Sequence, residues 1–288
     1  MKTPVTAEAG NQYNVVLIGG AMRSGTTVIH RSLCTAENSN PYISESWFLS
    51  DIMRLYRWNL RRYNVRHADQ FGDMRNFQEL IWLNIRQYLS LVSVKYNDPE
   101  KLILKHPELT YYFHELSKHF NSFKFIVIVR DPRDVIASIT RVAERHLENR
   151  ILSPQTGLVD IGKHCDNYAA YYADVIKNLG DFDKRLIFVK YEDFMSEPDV
   201  QLQRVGQFTG ARYDVDRAKQ FLPEHASSPN FDKEQREKDP FSGAFWSDSY
   251  TQSLSTDRIG RYREVLNEEQ VNEIEQRLQP FGNRFKYW

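Results

Sequence analysis

The chain has 288 residues, 41% of them hydrophobic, enough for one α/β domain with a sizeable core. Lys+Arg and Asp+Glu both number 38, so the formal net charge is zero; a generalised nucleic-acid binder carries a basic excess and is excluded, and any basic site must be local. No apolar run reaches the ~18 residues of a membrane span, "MKTPVTAEAGNQYN" lacks an apolar signal core, and Cys34 and Cys165 have no metal spacing. The expectation is a soluble cytoplasmic protein with reduced thiols and no metal.

Residues 1–13 are expected to be flexible. The first ordered element is the strand "VVLIG", Val15 to Gly19, followed by a glycine turn and a helix near 26–36. Gly20 and Gly25 keep the GxxxxG spacing of a phosphate cradle: glycines turn tightly, backbone N–H groups face the anion and the helix adds its positive end. Arg23, Ser24, Thr26 and Thr27 add donors. Nucleoside triphosphatases place a lysine where this chain has Thr26, which argues against a triphosphate but not against a phosphate-like group.

Residues 51–66 interleave arginines with Tyr56, Trp58 and Tyr63, which makes 51–100 a candidate acceptor side; a solvated amphipathic helix is the plainer reading. A helix near 74–92 leads to the strand "KLILK", Lys101 to Lys105, and a helix near 108–119. The strand "KFIVIVR", Lys124 to Arg130, runs into a helix near 132–148, with Pro132 in its first turn. Arg130 at the strand end and Ser138 on the helix form a second candidate anion site, unless Arg130 merely pairs with Asp131 or Asp134. A helix near 161–178, the strand "RLIFVKY" (Arg185 to Tyr191) and a helix near 198–209 follow. The polar stretch 223–252 carries Phe241, Phe245, Trp246 and Tyr250 and is a second candidate acceptor element; a helix near 267–279 closes the chain. Near-continuous apolar strands alternating with helices predict one domain over 1–288, a three-layer P-loop-like α/β fold with a central, mostly parallel sheet flanked by helices. Ligands of such sheets bind at the carboxyl ends of the strands, where both anion motifs fall.

"AMRSGTT" together with "FIVIVRDPRDVIAS" resembles the sulfotransferases that use 3′-phosphoadenosine 5′-phosphosulfate (PAPS). "RSGTT", "KYEDFMSEP" and "STDRIGRYREVL" place the resemblance nearer the protein-tyrosine and bacterial branch, with scattered matches from about residue 14 to 280. The resemblance implies that Arg23, Ser24, Gly25, Thr26 and Thr27 hold the 5′-phosphosulfate, and that Arg130 and Ser138 hold the 3′-phosphate that remains in the product PAP. Tyr191 resembles the tyrosine near adenine, and Arg258 and Arg261 are candidates to close over the donor. Val142 stands where the tyrosine-sulfating branch has a further arginine, and the preceding Arg141 is left unassigned.

Sulfuryl transfer to a hydroxyl, or less favourably an amine, is an in-line displacement that needs positioning, charge neutralisation at the leaving oxygen and a base. Lys105 resembles the lysine at the leaving oxygen and Ser255 a serine that places the sulfonate or restrains that lysine. Glu45, in "YISESWF", resembles the base of the tyrosine-sulfating branch; His106 is the alternative, disfavoured because successive strand residues face opposite ways unless the strand has ended. Glu45 needs a raised pKa to serve, which burial beside Trp47 would provide. The acceptor, whether a small metabolite, a sugar or a tyrosyl peptide, is left open. A P-loop small-molecule kinase and a non-catalytic PAP-binding module are the competing readings.

Overall fold

Four apolar runs form four strands, β1 (Val15–Gly20), β2 (Leu102–Lys105), β3 (Lys124–Val129) and β4 (Leu186–Lys190), all parallel, in the order β2-β1-β3-β4. The computed structural model describes residues 13–148, 160–220 and 254–288. The stretch 223–252 lies outside the described residues, as does 1–13 except for Tyr13.

Side-chain alternation along these strands builds two cores. Leu17, Leu104, Phe125 and Val127 face one way, toward helices α2 (Trp47–Leu60), α5 (Met74–Lys95), α6 (Phe113–His119) and α8 (Ile161–Lys177) and the C-terminal helices Glu268–Arg277 and Gln279–Phe285. Val16, Ile18, Ile103, Ile126, Ile128 and Val189 face the other way, toward α1 (Thr26–Leu33), α9 (Tyr191–Ser196), α10 (Pro198–Thr209) and α11 (Val215–Gln220). Between α2 and α5 lie the short turns α3 (Tyr63–Arg66) and α4 (Ala68–Phe71), and α7 (Pro132–Glu148) follows β3. The helix expected over 108–119 is a 3-10 segment, Pro107–Tyr112, that continues into α6. The turns at α9 and α11 were not anticipated.

Two features of this topology position the site. β1 connects to one side and β3 to the other, so the sheet's switch point lies between their carboxyl ends, where Gly20 and Arg130 fall. β2 is an edge strand, and residues 38–46 run along it: Lys101 N donates to Asn38 O at 3.0 Å and Ser46 N to Lys105 O at 2.8 Å. The Asn40 side chain adds a pair of bonds to Ile103, accepting at 2.6 Å and donating at 3.1 Å, as a neighbouring strand would. This strap carries Glu45 to the end of β2.

Candidate active site

The loop after β1 folds as the glycine spacing requires. Gly20 has φ 141° and Gly25 φ 89°; a Cβ on Gly25 would lie 2.3 Å from the Tyr191 ring. Arg23, which is not glycine, also sits at φ 67°, a conformation held in place by its surroundings. Thr110 Oγ1 accepts from Gly20 N at 2.6 Å, and Tyr172 Oη accepts from Ala21 N at 3.0 Å while donating to Ile128 O at 3.0 Å. The same face of α8 sends Tyr168 Oη to Arg130 O at 2.6 Å. Two tyrosines one helical turn apart thus tie both strand ends to one helix.

The second motif converges on the first. Arg23 Nε donates to Ser138 Oγ at 3.1 Å, and Arg130 Nη1 donates to Arg23 O at 3.2 Å. Arg130 also donates to Arg258 O, and its guanidinium lies 4.3 Å from the centre of the Tyr191 ring. Arg130 does approach Asp134, at 3.6 Å, but Asp134 is chiefly occupied in accepting from Gly260 N at 2.8 Å and Tyr262 N at 2.9 Å. Asp131 pairs with Arg133 at 2.6 Å. Arg130 Nε is buried with no hydrogen-bond partner among the described residues, a cost that an anion there would remove.

At the end of β2 the Lys105 side chain is fully buried, donating to Thr27 Oγ1 at 3.0 Å and pairing with Glu45. β2 stops at Lys105, and His106 begins the next turn, so strand alternation does not separate the two and both reach Glu45. Burial alone raises the pKa of Glu45, yet the charge and hydrogen bond of Lys105, with His106 behind them, hold it below the ordinary glutamate value. The expected upward shift is therefore reversed while the pair is intact. His106 accepts from Glu108 N through Nδ1 at 3.2 Å, which puts its proton on Nε2, 3.8 Å from Glu45. Burial lowers its pKa and keeps it neutral. A neutral imidazole with Nε2–H toward the site is a donor there, which favours Glu45 as base.

The sequence profile described as "Sulfotransferase family" matches residues 15–215. The chain belongs to the sulfotransferase family. This makes it an enzyme of the PAPS-dependent sulfotransferase class. By sequence alone this sulfotransferase matches no curated protein. Its fold is similar to the sulfotransferase domain from the curacin biosynthetic pathway, with TM-score 0.59, 15% identity, 94% of this chain covered and 99% of that one. It is also similar to the sulfotransferase domain of the Synechococcus PCC 7002 olefin synthase (TM-score 0.53, 14% identity, 95% and 98% covered). Sulfotransferase STF9 from Mycobacterium avium gives TM-score 0.55, 14% identity, and 96% and 77% covered.

In this sulfotransferase, Arg23, Ser24, Gly25, Thr26, Thr27, Arg130, Ser138 and Tyr191 gather at the switch point, with Lys105, Glu45 and His106 beside them. The three sequence-predicted residues beyond position 254 make the following contacts. Ser255 Oγ accepts from Asp257 N at 3.1 Å and makes no hydrogen bond to Lys105. Arg261 pairs with Glu264 at 3.0 Å, which also holds Arg141 at 2.9 Å. Arg258 meets Arg130 through its carbonyl. On α2, Tyr56 is core, Arg57 pairs with Glu115, and Arg54 pairs with Glu108 at 2.6 Å. Within the basic-aromatic segment, α2 is therefore an amphipathic helix whose Arg54 and Arg57 pair with glutamates of the neighbouring stretch 107–119. No group of three or more metal-ligating side chains occurs among the described residues, nor any helix long and apolar enough to cross a membrane. Thr110, Tyr168 and Tyr172 escaped the sequence reading; the only trace was the i, i+4 tyrosine spacing in "YAAYY".

Proposed function

We propose that this sulfotransferase moves the sulfuryl group of PAPS to a hydroxyl oxygen of a small acceptor by in-line displacement, with Glu45 as the base and Lys105 at the leaving oxygen. The observation that carries the reading is the convergence of Thr27, Lys105 and Glu45 where the glycine turn meets the end of β2. PAPS supplies a sulfur centre whose bond to the bridging phosphate oxygen breaks as the acceptor oxygen attacks. The loop from Arg23 to Thr27 binds the phosphosulfate. Arg130, with its unpartnered Nε, and Ser138 bind the 3′-phosphate. Tyr191 braces both sites through Gly25 and Arg130 on the adenine side, and Arg258 borders the 3′ end.

The Glu45–Lys105 pair gives these roles an order. A phosphosulfate that draws Lys105 toward its bridging oxygen takes the counter-charge from Glu45, and burial then raises the carboxylate's pKa. The base becomes stronger when the donor is in place, and accepts the acceptor's proton as negative charge moves to the leaving oxygen beside Lys105. An amine acceptor would place less demand on Glu45.

Thermal unfolding with PAP, 5′-AMP and Mg-ATP tests the donor. At about 100 times the dissociation constant, PAP is expected to stabilise by roughly 2.7 kcal/mol, a shift of several degrees that 5′-AMP does not reproduce. A shift with Mg-ATP and none with PAP would replace this reading with a kinase.

A further inference from the structure

Helix α5 turns one face to the sheet's core through Phe77, Ile81, Trp82, Ile85 and Leu89. Its opposite face carries Leu80, Leu83, Leu91 and Val94, each between 43% and 68% exposed. These four and Gln87 lie on one narrow stripe, with successive spacings of three, four, four and three residues. The spacing reads the same in both directions about Gln87.

We propose that this stripe joins two copies of the chain in an antiparallel α5–α5 pair whose two-fold axis passes beside Gln87. A two-fold interface requires one patch to complement itself when reversed, and this stripe does so. Leu80 then shares a layer with the partner subunit's Val94, and Leu83 with the partner subunit's Leu91. Within each layer the two side chains come from opposite flanks of the seam, which is how antiparallel helices interdigitate. At the centre Gln87 meets its own copy. A primary amide offers both donor and acceptor, so the pair is satisfied only in register, and a slip buries it against leucine. Antiparallel packing also sets opposite helix dipole ends together. The one like-charge approach, Arg86 beside its copy, is moderated because each Arg86 lies 3.6 Å from Glu79 of its own helix. About an axis at Gln87 the two copies of α5 overlap over residues 79–95, a seam of about 25 Å, and Phe48, packed on Tyr88 at 5.4 Å between ring centres, widens it. The proposal is independent of the catalytic roles assigned above.

Sedimentation equilibrium of the full chain at micromolar concentration is expected to give twice the 34.0 kDa chain mass. The double variant Leu83→Lys/Leu91→Lys is expected to sediment as one chain with its PAP-induced shift retained, because both positions lie on the outer face of α5 and away from the core of the chain. Gln87→Cys is expected to cross-link to itself under mild oxidation, whereas Glu79→Cys, off the axis, is not; the native Cys34 and Cys165 are buried. A wild-type chain that stays monomeric, a dimer that survives the double lysine variant, or a Gln87→Cys that fails to cross-link would each overturn the proposal.

Discussion

At the scale of single residues, the site is an arrangement of charges kept in check by one another. Glu45 is ionised at neutral pH because Lys105 and His106 oppose the effect of burial. With donor saturating, the acceptor kcat/KM is expected to show an acid limb above the ordinary glutamate value of about 4.3, since Lys105 is then engaged elsewhere. Glu45→Gln is expected to lower turnover by about 10²–10⁴-fold and to leave PAP affinity within a few-fold. Unchanged turnover, or the same limb in the variant, would remove Glu45 as base and return attention to His106; loss of PAP binding together with turnover would mean that Glu45 shapes the donor site. Gly25 presents a steric case. An added methyl at φ 89° meets the Tyr191 ring at 2.3 Å, so Gly25→Ala should cost about 1–3 kcal/mol in unfolding measurements and weaken PAP in titration. A variant with full stability and affinity would show that the loop tolerates a different path.

At the scale of elements, helix α8 is the clamp of the phosphate cradle. Tyr172 joins the Ala21 amide to the Ile128 carbonyl, and Tyr168 holds the Arg130 carbonyl. Burial pushes both phenols up, so both remain protonated donors at any working pH. Tyr172→Phe keeps the ring in the core but leaves two buried backbone groups short of a partner, a cost of about 1–3 kcal/mol. The expected outcome is a raised donor KM with a smaller change in kcat, measured by initial rates, because the loop that binds the donor is loosened and the Glu45–Lys105 pair is not touched. A kcat loss at constant donor KM would contradict a clamp acting on the cradle. The strap at 38–46 is the second such element: it covers the edge of β2 and in doing so delivers Glu45, so edge protection and the proposed base come from one segment.

At the scale of the whole molecule, the fold stores a pH liability at His30. His30 is fully buried, its pKa pushed down to about 3 by burial first and the nearby Lys105 second. An unfolded chain binds a proton there near pH 6.5 and the folded one does not, so the stability from keeping His30 neutral is complete above that value and is lost as pH falls toward 3. Its share of the slope is about 1.4 kcal/mol per pH unit. Urea unfolding at pH 7 and pH 5 should show a smaller acid loss in His30→Gln than in the wild type; equal losses would mean that other groups dominate acid unfolding.

The strands were legible because each is buried on both faces and so carries an unbroken apolar run, and the phosphate turn was legible because only glycine permits its backbone. Arg130 and Ser138 could be placed near one another because strand end and helix start are adjacent in the chain. What acts on these pieces from a distance was not legible. Tyr172 lies 151 residues from Ala21, and Lys105 lies 60 from Glu45. The sequence by itself determined a parallel α/β sheet with two candidate anion-binding turns at its carboxyl edge, since those depend on local periodicity and on glycine. Only the tertiary structure decided that Lys105 pairs with Glu45, that Tyr172 ties the Ala21 amide to the Ile128 carbonyl and that Glu264 holds Arg141. Those outcomes follow from which distant side chains pack together, and no local pattern encodes them.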